Sequence, residues 1–314
     1  MIARAKTSAQ TAEGAFALFG WQGMTARVPA DWTLGAIGGD YKSGYARLDD
    51  AFMPRLELKW SEQEVNLDRA LERYLAKLGK RGRGRGVAID DKARVISRRS
   101  KPHKKLRGFS WSGRERATGI IWKCDQCKRT VIAQVIAAPG EEGEALAREI
   151  LTSLEDHGRD GRITWALYGL AFEAPERFRL ERQKLMAGYL ELAFAAGRRT
   201  LRVCRWGMAE VALTQRDLQH WYEVEQVRRR DVIWDCEPQQ VKAHDGLRVH
   251  GHRRRLLHRP RRAAERLLRL GIASDFDGRV WHCPQSNRIY SVESVHHQDA
   301  ETMLEVVESV GCHE

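Results

Sequence analysis

The sequence lacks most of the features that would assign a chemistry directly. Its 314 residues include six cysteines, too few for a disulfide scaffold. No apolar run reaches the roughly 18 residues needed to span a membrane, and residues 1–20 lack the apolar core of a signal peptide. No Walker loop, dinucleotide fingerprint, nucleophile elbow or His-Glu-x-x-His helix occurs in the sequence. These absences favour a cytoplasmic protein that is not an enzyme and needs no cofactor.

The chain is strongly basic, with a formal net charge of +12. Such a charge favours a polyanionic partner such as nucleic acid, although solvated surface charge is the alternative interpretation. Arginines alternate with glycines in segment 80–86, which resembles a short loop that follows a phosphate backbone. The arginines expected to contact a polyanion are Arg81, Arg83, Arg85, Arg253, Arg254, Arg255, Arg261 and Arg262.

One motif occurs twice in the chain. The sequence Trp-Lys-Cys-Asp-Gln-Cys-Lys-Arg at 122–129 recurs as Trp-His-Cys-Pro-Gln-Ser-Asn-Arg at 281–288, with Ser286 in place of Cys127. Further landmarks recur in the same order: Gly44-Tyr45 and Gly188-Tyr189, Trp60 and Trp206, His103 and His244. Repeated order of this kind predicts a tandem duplication. We expect domains at 16–157 and 163–314, which would form an internal pseudo-dimer. The second repeat is expected to carry a basic insertion near 253–275.

Each repeat is expected to belong to the α+β class. Short strands follow one another without intervening helices, which predicts hairpins and an antiparallel sheet. In the first repeat the periodicity predicts helices after Asn66 and over 144–154, and a strand at 93–97. In the second it predicts helices starting at Thr214 and over 299–310. The predicted order is four strands, a helix, four strands and a helix, so that two main helices flank each sheet.

Three segments of the first repeat carry a resemblance to a known fold family. They are the Val-Pro-x-x-Trp turn within 23–32, Gly44-Tyr45, and Pro-Arg-Leu-Glu-Leu-Lys-Trp at 54–60 before the helix. In these features both halves of the chain resemble the Mog1/PsbP-like family. The resemblance implies an antiparallel sheet between helices and a binding or assembly role, as in GTPase-partner binding or photosystem assembly. It assigns no role to the repeated cysteine.

Cys124 and Cys127 form the one candidate site for chemistry. Two thiolates at this spacing can share a tetrahedral zinc ion, and Cys283 and His282 would supply further ligands if the halves pack pseudo-symmetrically. A disulfide or redox role is a second interpretation, but the pair lies between strands rather than at a helix N-terminus. The third is a turn whose cysteines pack as small apolar groups, with Trp122 and Trp281 in the core. All three interpretations remain open from the sequence.

Our first hypothesis for function is therefore a non-enzymatic binding or assembly protein with a macromolecular partner, such as another protein. A nucleic-acid-associated protein that uses the arginine segments is one alternative. A zinc or thiol-redox protein built on Cys124 and Cys127 is the other.

Overall fold

The computed structural model describes residues 15–63, 66–81, 87–226, 232–253, 275–295 and 300–313. The chain divides into two compact units, Met1–His157 and Gly158–Glu314. No helix within the described ranges is both long and apolar enough to cross a membrane.

The first unit consists of an N-terminal hairpin, a seven-stranded antiparallel sheet and two helices. Its elements are β1 (Phe16–Trp21), β2 (Met24–Pro29), β3 (Thr33–Gly39), β4 (Ser43–Asp49), β5 (Pro54–Ser61), α1 (Leu67–Arg81), β6 (Ala88–Asp90), a 3₁₀ turn (Arg98–Ser100), β7 (Lys104–Ser112), β8 (Arg116–Cys124), β9 (Thr130–Ala137) and α2 (Glu144–Ser153). The sheet has the order β3-β4-β5-β9-β8-β7-β6, and every neighbouring pair is antiparallel.

The second unit has the same sheet order, strand for strand. Its elements are β10 (Arg162–Leu167), β11 (Leu170–Pro175), β12 (Arg179–Met186), β13 (Tyr189–Ala196), β14 (Arg199–Gly207), α3 (Ala209–Ala212), α4 (Leu218–Gln226), β15 (Val232–Val241), β16 (His244–Arg253), β17 (Asp275–Cys283), β18 (Arg288–Val295) and α5 (Ala300–Ser309). The order is β12-β13-β14-β18-β17-β16-β15, again antiparallel throughout. The predicted α+β class with antiparallel sheets is confirmed.

Successive residues on the central strands point to opposite faces of the sheet, and helices cover both faces. In the first unit Ile121 packs with α1 and Phe109, whereas the next residue, Trp122, faces the side of α2. In the second unit Val280 packs with α4, and Trp281 faces the opposite side. This alternation follows from the two-residue period of a strand. Each sheet is therefore covered on one face by α1 or α4 and on the other by α2 or α5.

Each unit opens with a hairpin that the sequence did not resolve. The turn residues Gln22 and Gly23 have φ of 52° and 82°, and Tyr168 and Gly169 have φ of 50° and 71°. Positive φ at both positions is typical of the two-residue type I′ turn, whose twist matches that of its strands. Five strands therefore precede α1, rather than the expected four.

Two other details differ from the sequence prediction. Segment 93–97 is irregular, and the edge strand forms earlier, at β6. The helix predicted from Thr214 begins at Leu218, because the side chain of Asp217 accepts a hydrogen bond from the backbone of His220 at 2.7 Å. Asp217 is thus the N-cap rather than a residue inside the helix.

A buried arginine ties the sheet of the first unit to the loop before α2. Arg55 is 6% exposed and lies 5.3 Å from the centre of the Trp32 ring. Its guanidinium donates to both carboxylate oxygens of Glu141, at 2.6 and 2.7 Å. These hydrogen bonds hold the pKa of Glu141 below its ordinary value of 4.5.

We expect Glu141→Gln to lower the free energy of unfolding by about 1 kcal/mol at neutral pH, since the pair is partly screened by solvent. A carboxyl whose pKa is lowered by folding stabilises the protein above its unfolded pKa. The difference between parent and variant should shrink as the pH falls below about 4.5 through the lowered pKa of Glu141. Urea denaturation at several pH values measures this, with the exposed neighbour Glu142→Gln as control. A difference that persists at low pH would contradict the assignment.

Candidate metal sites

The repeated motif forms the turn between the two central strands of each sheet. In the first unit the backbone N–H of Cys124 donates to the carbonyl of Arg129 at 2.9 Å. In the second, Cys283 pairs with Arg288 in the β17–β18 ladder. The residue before each arginine has positive φ, 61° at Lys128 and 51° at Asn287. The structure confirms that the motif is a turn between core strands.

The motif's tryptophans are buried, as expected, but its arginines do not lie over them. Arg129 is fully buried, 4.2 Å from the centre of the Tyr41 ring, and donates to the carbonyl of Gln22 at 2.8 Å. Arg288 likewise donates to the carbonyl of Gly169 at 2.7 Å. Each arginine therefore fixes the central turn to the type I′ hairpin of its own unit.

The first unit brings together four side chains that can bind metal. The donor atoms of Cys124, Cys127, Asp156 and His157 all lie within 4.8 Å of one another. The sulfur of Cys124 is 3.7 Å from Nδ1 of His157, and the sulfur of Cys127 is 3.5 Å from Oδ2 of Asp156. We call these four residues the first quartet.

The segment after α2 supplies half of the first quartet. Asp156 lies three residues beyond the end of α2. The preceding residue, Glu155, forms an antiparallel bridge with Thr25 of β2, through backbone hydrogen bonds of 2.8 and 3.0 Å. This bridge delivers Asp156 and His157 to the β8–β9 turn.

The carboxylate of Asp156 is completely buried and compensated by a lysine. Nζ of Lys104 lies 3.2 Å from Asp156 and 2.6 Å from Glu155, and the indole N–H of Trp122 donates to Asp156 at 2.7 Å. Burial raises the pKa of Asp156, but the charge of Lys104 and this hydrogen bond outweigh it, so the pKa is lowered. Asp156 is thus a carboxylate at neutral pH.

The two thiols of the first quartet differ in acidity and in exposure. A hydrogen bond from Cys127 lowers the pKa of Cys124 to about 7, and the same contact raises the pKa of Cys127. Cys124 is fully buried, whereas Cys127 is partly exposed. Thiol–disulfide exchange needs an accessible thiolate. Here the thiol with the lowered pKa is the inaccessible one, which disfavours the redox interpretation.

The second unit holds a second group of four donors, which we call the second quartet. His244, Cys283, Cys312 and His313 have their donor atoms within 4.8 Å of one another. The sulfur of Cys312 lies 3.4 Å from Nε2 of His244 and 3.2 Å from Nδ1 of His313, and Cys283 lies 3.4 Å from the same Nδ1. His313 is exposed and the other three are buried.

The two quartets occupy equivalent positions in their units. Cys312 lies three residues beyond the end of α5, as Asp156 does beyond α2. Gly311, just before Cys312, bridges to Ala171 as Glu155 bridges to Thr25. Lys104, rather than the His103 that the sequence repeat suggested, corresponds to His244, because each begins its strand two residues before the partner of the motif tryptophan. The second quartet thus has Cys312 and His244 where the first unit has Asp156 and Lys104.

The predicted ligands Cys124, Cys127, Cys283 and His282 are divided between the two quartets and the opposite face of the second sheet. Cys124 and Cys127 come together, but Cys283 belongs to the second quartet. His282 neighbours Cys283 on a strand, so its side chain points to the opposite face of the sheet. There its Nε2 is buried with no hydrogen-bond partner among the described residues.

Sequence reasoning did not identify Asp156, His157, His244, Cys312 or His313. The available sequence signal for these ligands was a potential metal-binding pair directly after the closing helix of each unit, Asp-His in the first and Cys-His in the second. Of the arginines predicted to bind a polyanion, Arg81 ends α1 and Arg253 ends β16. The other six, at 83, 85, 254, 255, 261 and 262, lie outside the described residues. The polyanion interpretation therefore stays a prediction.

Comparisons with known proteins assign no family. The chain matches no protein-family model and no curated protein. Among solved structures, the apo immunity protein TplEi of the T6SS from Pseudomonas aeruginosa matches 94% of this chain and 95% of its own, with 10% identity and a TM-score of 0.34. A TM-score this low supports no conclusion about fold or function.

We expect Lys104→Met to destabilise the first unit by about 3 kcal/mol, because the buried carboxylate of Asp156 would lose its cation. Urea denaturation of the reduced full-length chain measures the loss. Lys105→Met, at the exposed neighbouring position, is the matched control and should change little. Equal stability of the two variants would show that Lys104 does not compensate Asp156.

Proposed function

We propose that this chain is a non-enzymatic zinc-binding protein whose first quartet holds one zinc ion. The observation that carries the proposal is the convergence of Cys124, Cys127, Asp156 and His157 at one largely buried point. Thiolate, imidazole and carboxylate are the donors that zinc prefers in proteins. They come from two segments 29 residues apart, joined only by the fold.

The spacing of the donors supports this proposal. Zinc lies about 2.3 Å from sulfur and about 2.0 Å from nitrogen, so a tetrahedral site separates the two donors by about 3.6 Å. The sulfur of Cys124 lies 3.7 Å from Nδ1 of His157. Cys127 lies 3.5 Å from the nearer oxygen of Asp156. These two distances leave room for an ion between the donors, whereas Nδ1 of His157 and Oδ1 of Asp156 lie at hydrogen-bond distance, 2.8 Å.

The charge around the first quartet also supports a zinc ion. Two thiolates and one carboxylate exceed the charge of Zn²⁺ by one negative unit. Lys104, at 3.2 Å from Asp156 and 4% exposed, supplies the missing positive charge. A buried site that is neutral overall avoids the large cost of burying net charge.

Four protein donors point to a structural rather than a catalytic ion. Catalytic zinc sites keep one coordination position open for water or substrate, and structural sites do not. The ion would join the β8–β9 turn to the segment after α2. It would thereby strengthen a scaffold for binding.

We expect the reduced full-length chain to lose one equivalent of zinc when Cys127 is changed to Ser. Elemental analysis after gel filtration gives the zinc content per chain, and cobalt substitution gives the absorption of thiolate-bound metal. Cys236→Ser is the control, since this partly buried cysteine belongs to neither quartet. If Cys127→Ser retains as much zinc as the parent chain, the first quartet is not a zinc site.

A second candidate function is the recognition of an extended segment of a partner protein. A groove of about 1610 Å³ lies in the first unit between α2 and strands β6 to β8. Small-molecule pockets measure about 300–1,000 Å³, so the groove suits a larger ligand. Ser110, Ser112 and Thr118 line it with small side chains. A binding role agrees with the resemblance to Mog1/PsbP-like modules.

The charges along the groove indicate which segment would bind. Its lining includes the carboxylates Asp90, Glu141, Glu142, Glu144 and Glu149 and the arginines Arg27, Arg116 and Arg148. Because Arg55 already compensates Glu141, the other four carboxylates and the three arginines leave a net charge of −1. The proposed ligand is therefore a basic, extended peptide segment.

We expect peptides selected by display on the full-length chain to be basic. They should bind the variant Thr118→Trp, whose indole fills the groove, at least about tenfold more weakly, a loss of about 1.4 kcal/mol in binding free energy. Thr214→Trp places the same side chain at an exposed position of the second unit and should have no effect. Selected peptides that bind both variants equally would exclude the groove.

A further inference from the structure

We infer that the second quartet is a second, independent zinc site of the Cys2His2 type, formed by His244, Cys283, Cys312 and His313. None of its donors belongs to the first unit. The inference therefore goes beyond the proposed function of the first quartet and does not depend on it.

The distances within the second quartet are those of a tetrahedral site. Three sulfur–nitrogen separations are 3.4, 3.2 and 3.4 Å. Sulfur and nitrogen bound to one tetrahedral zinc ion lie about 3.6 Å apart. Cys312 contacts both imidazoles, and His313 contacts both sulfurs. All four donor atoms lie within 4.8 Å of one another.

The donors are held by three separate parts of the second unit. His244 begins β16, Cys283 ends β17, and Cys312 and His313 follow α5. The segment after α5 is fixed by the hydrogen bond from Gly311 to Ala171, at 2.9 Å, and by Tyr290, whose hydroxyl donates to the carbonyl of Cys312 at 3.3 Å. Two donors thus lie at strand ends, and the other two directly follow the bridge between Gly311 and Ala171.

The residues that differ between the two quartets keep the total charge of the donors and a bound zinc ion at zero. Two thiolates and two neutral imidazoles neutralise Zn²⁺ completely, so the second site needs no further cation. In the second unit Ser286 replaces Cys127, which removes one anionic donor. His244 occupies the position of Lys104, which removes the cation and restores the fourth donor. Both quartets therefore reach four donors and zero net charge with a zinc ion.

The alternative interpretation is a buried cluster of thiols and histidines that binds no metal. Cys283 is fully buried and Cys312 is 5% exposed. The burial of the two cysteines alone is explained if they pack as small apolar side chains. Thiol–imidazole hydrogen bonds would account for the individual contacts of 3.2 to 3.4 Å, but they do not require both sulfurs and both imidazoles to converge. A zinc ion accounts for all four side chains at once.

Zinc analysis of the reduced full-length chain tests this inference. The parent should hold two equivalents, and Cys312→Ser should hold one. His313→Ala, which removes an exposed side chain and should leave the fold intact, is expected to weaken one zinc equivalent at least about tenfold in competition with a chromophoric chelator. Near-ultraviolet circular dichroism checks that both variants are folded, and Cys236→Ser is the control for losing a thiol outside the quartets.

The outcomes separate the two sites. If Cys127→Ser retains all zinc but Cys312→Ser and His313→Ala lose one equivalent, the second site stands and the first does not exist. If Cys312→Ser and His313→Ala, both folded, bind zinc as the parent does, the inference is overturned. Metal bound by the parent at less than one equivalent, with no dependence on either residue, also overturns it.

Discussion

The burial of charge at the end of the closing helix is the constraint on which the first unit depends. Asp156 has no exposed surface, and its carboxylate is tolerated because Lys104 and Trp122 reach it from two adjacent strands. The same contact fixes the segment after α2 against the central turn, where Cys124 and Cys127 lie. In the second unit Cys312 and His244 occupy the corresponding positions, and their sulfur and Nε2 lie 3.4 Å apart. The geometry of each quartet follows from which side chains occupy these two positions.

A second set of contacts explains why the central turn is so well defined. Arg129 and Arg288 leave the turn and donate to carbonyls of the type I′ hairpins, whose positive φ values expose those oxygens. The arginine retained in both copies of the motif is therefore a connector between hairpin and sheet. The tryptophan retained with it fills the face of the sheet on the side of α2 or α5. The turn, the tryptophan ring and the guanidinium of the motif therefore have structural roles.

The sequence allowed the class, the sheet type and the central turn to be predicted, because strand alternation and the repeated motif are local patterns. It could not show which residues complete the quartets, since Asp156 and Cys312 are about 30 residues from the cysteines they approach. The expected pseudo-symmetry suggested Cys283 and His282 as further ligands, but neighbouring residues of a strand lie on opposite faces of the sheet. The hairpins were missed because a single glycine, preceded by Gln22 or Tyr168, gives a weak turn signal. The start of α4 was misplaced because Asp217 caps the helix from outside.

The edge strands of the two sheets have a consequence for how the molecule behaves in a crowded solution. A free edge offers unpaired backbone groups to any other extended chain. At one edge of the first sheet, β6 is only three residues long and its side chains are exposed. At one edge of the second, β12 carries exposed Arg182 and Lys184, whose cations lie 2.8 and 3.7 Å from the buried Glu191. A second chain that paired there would have to bury those charges, so both edges discourage fibre-like association.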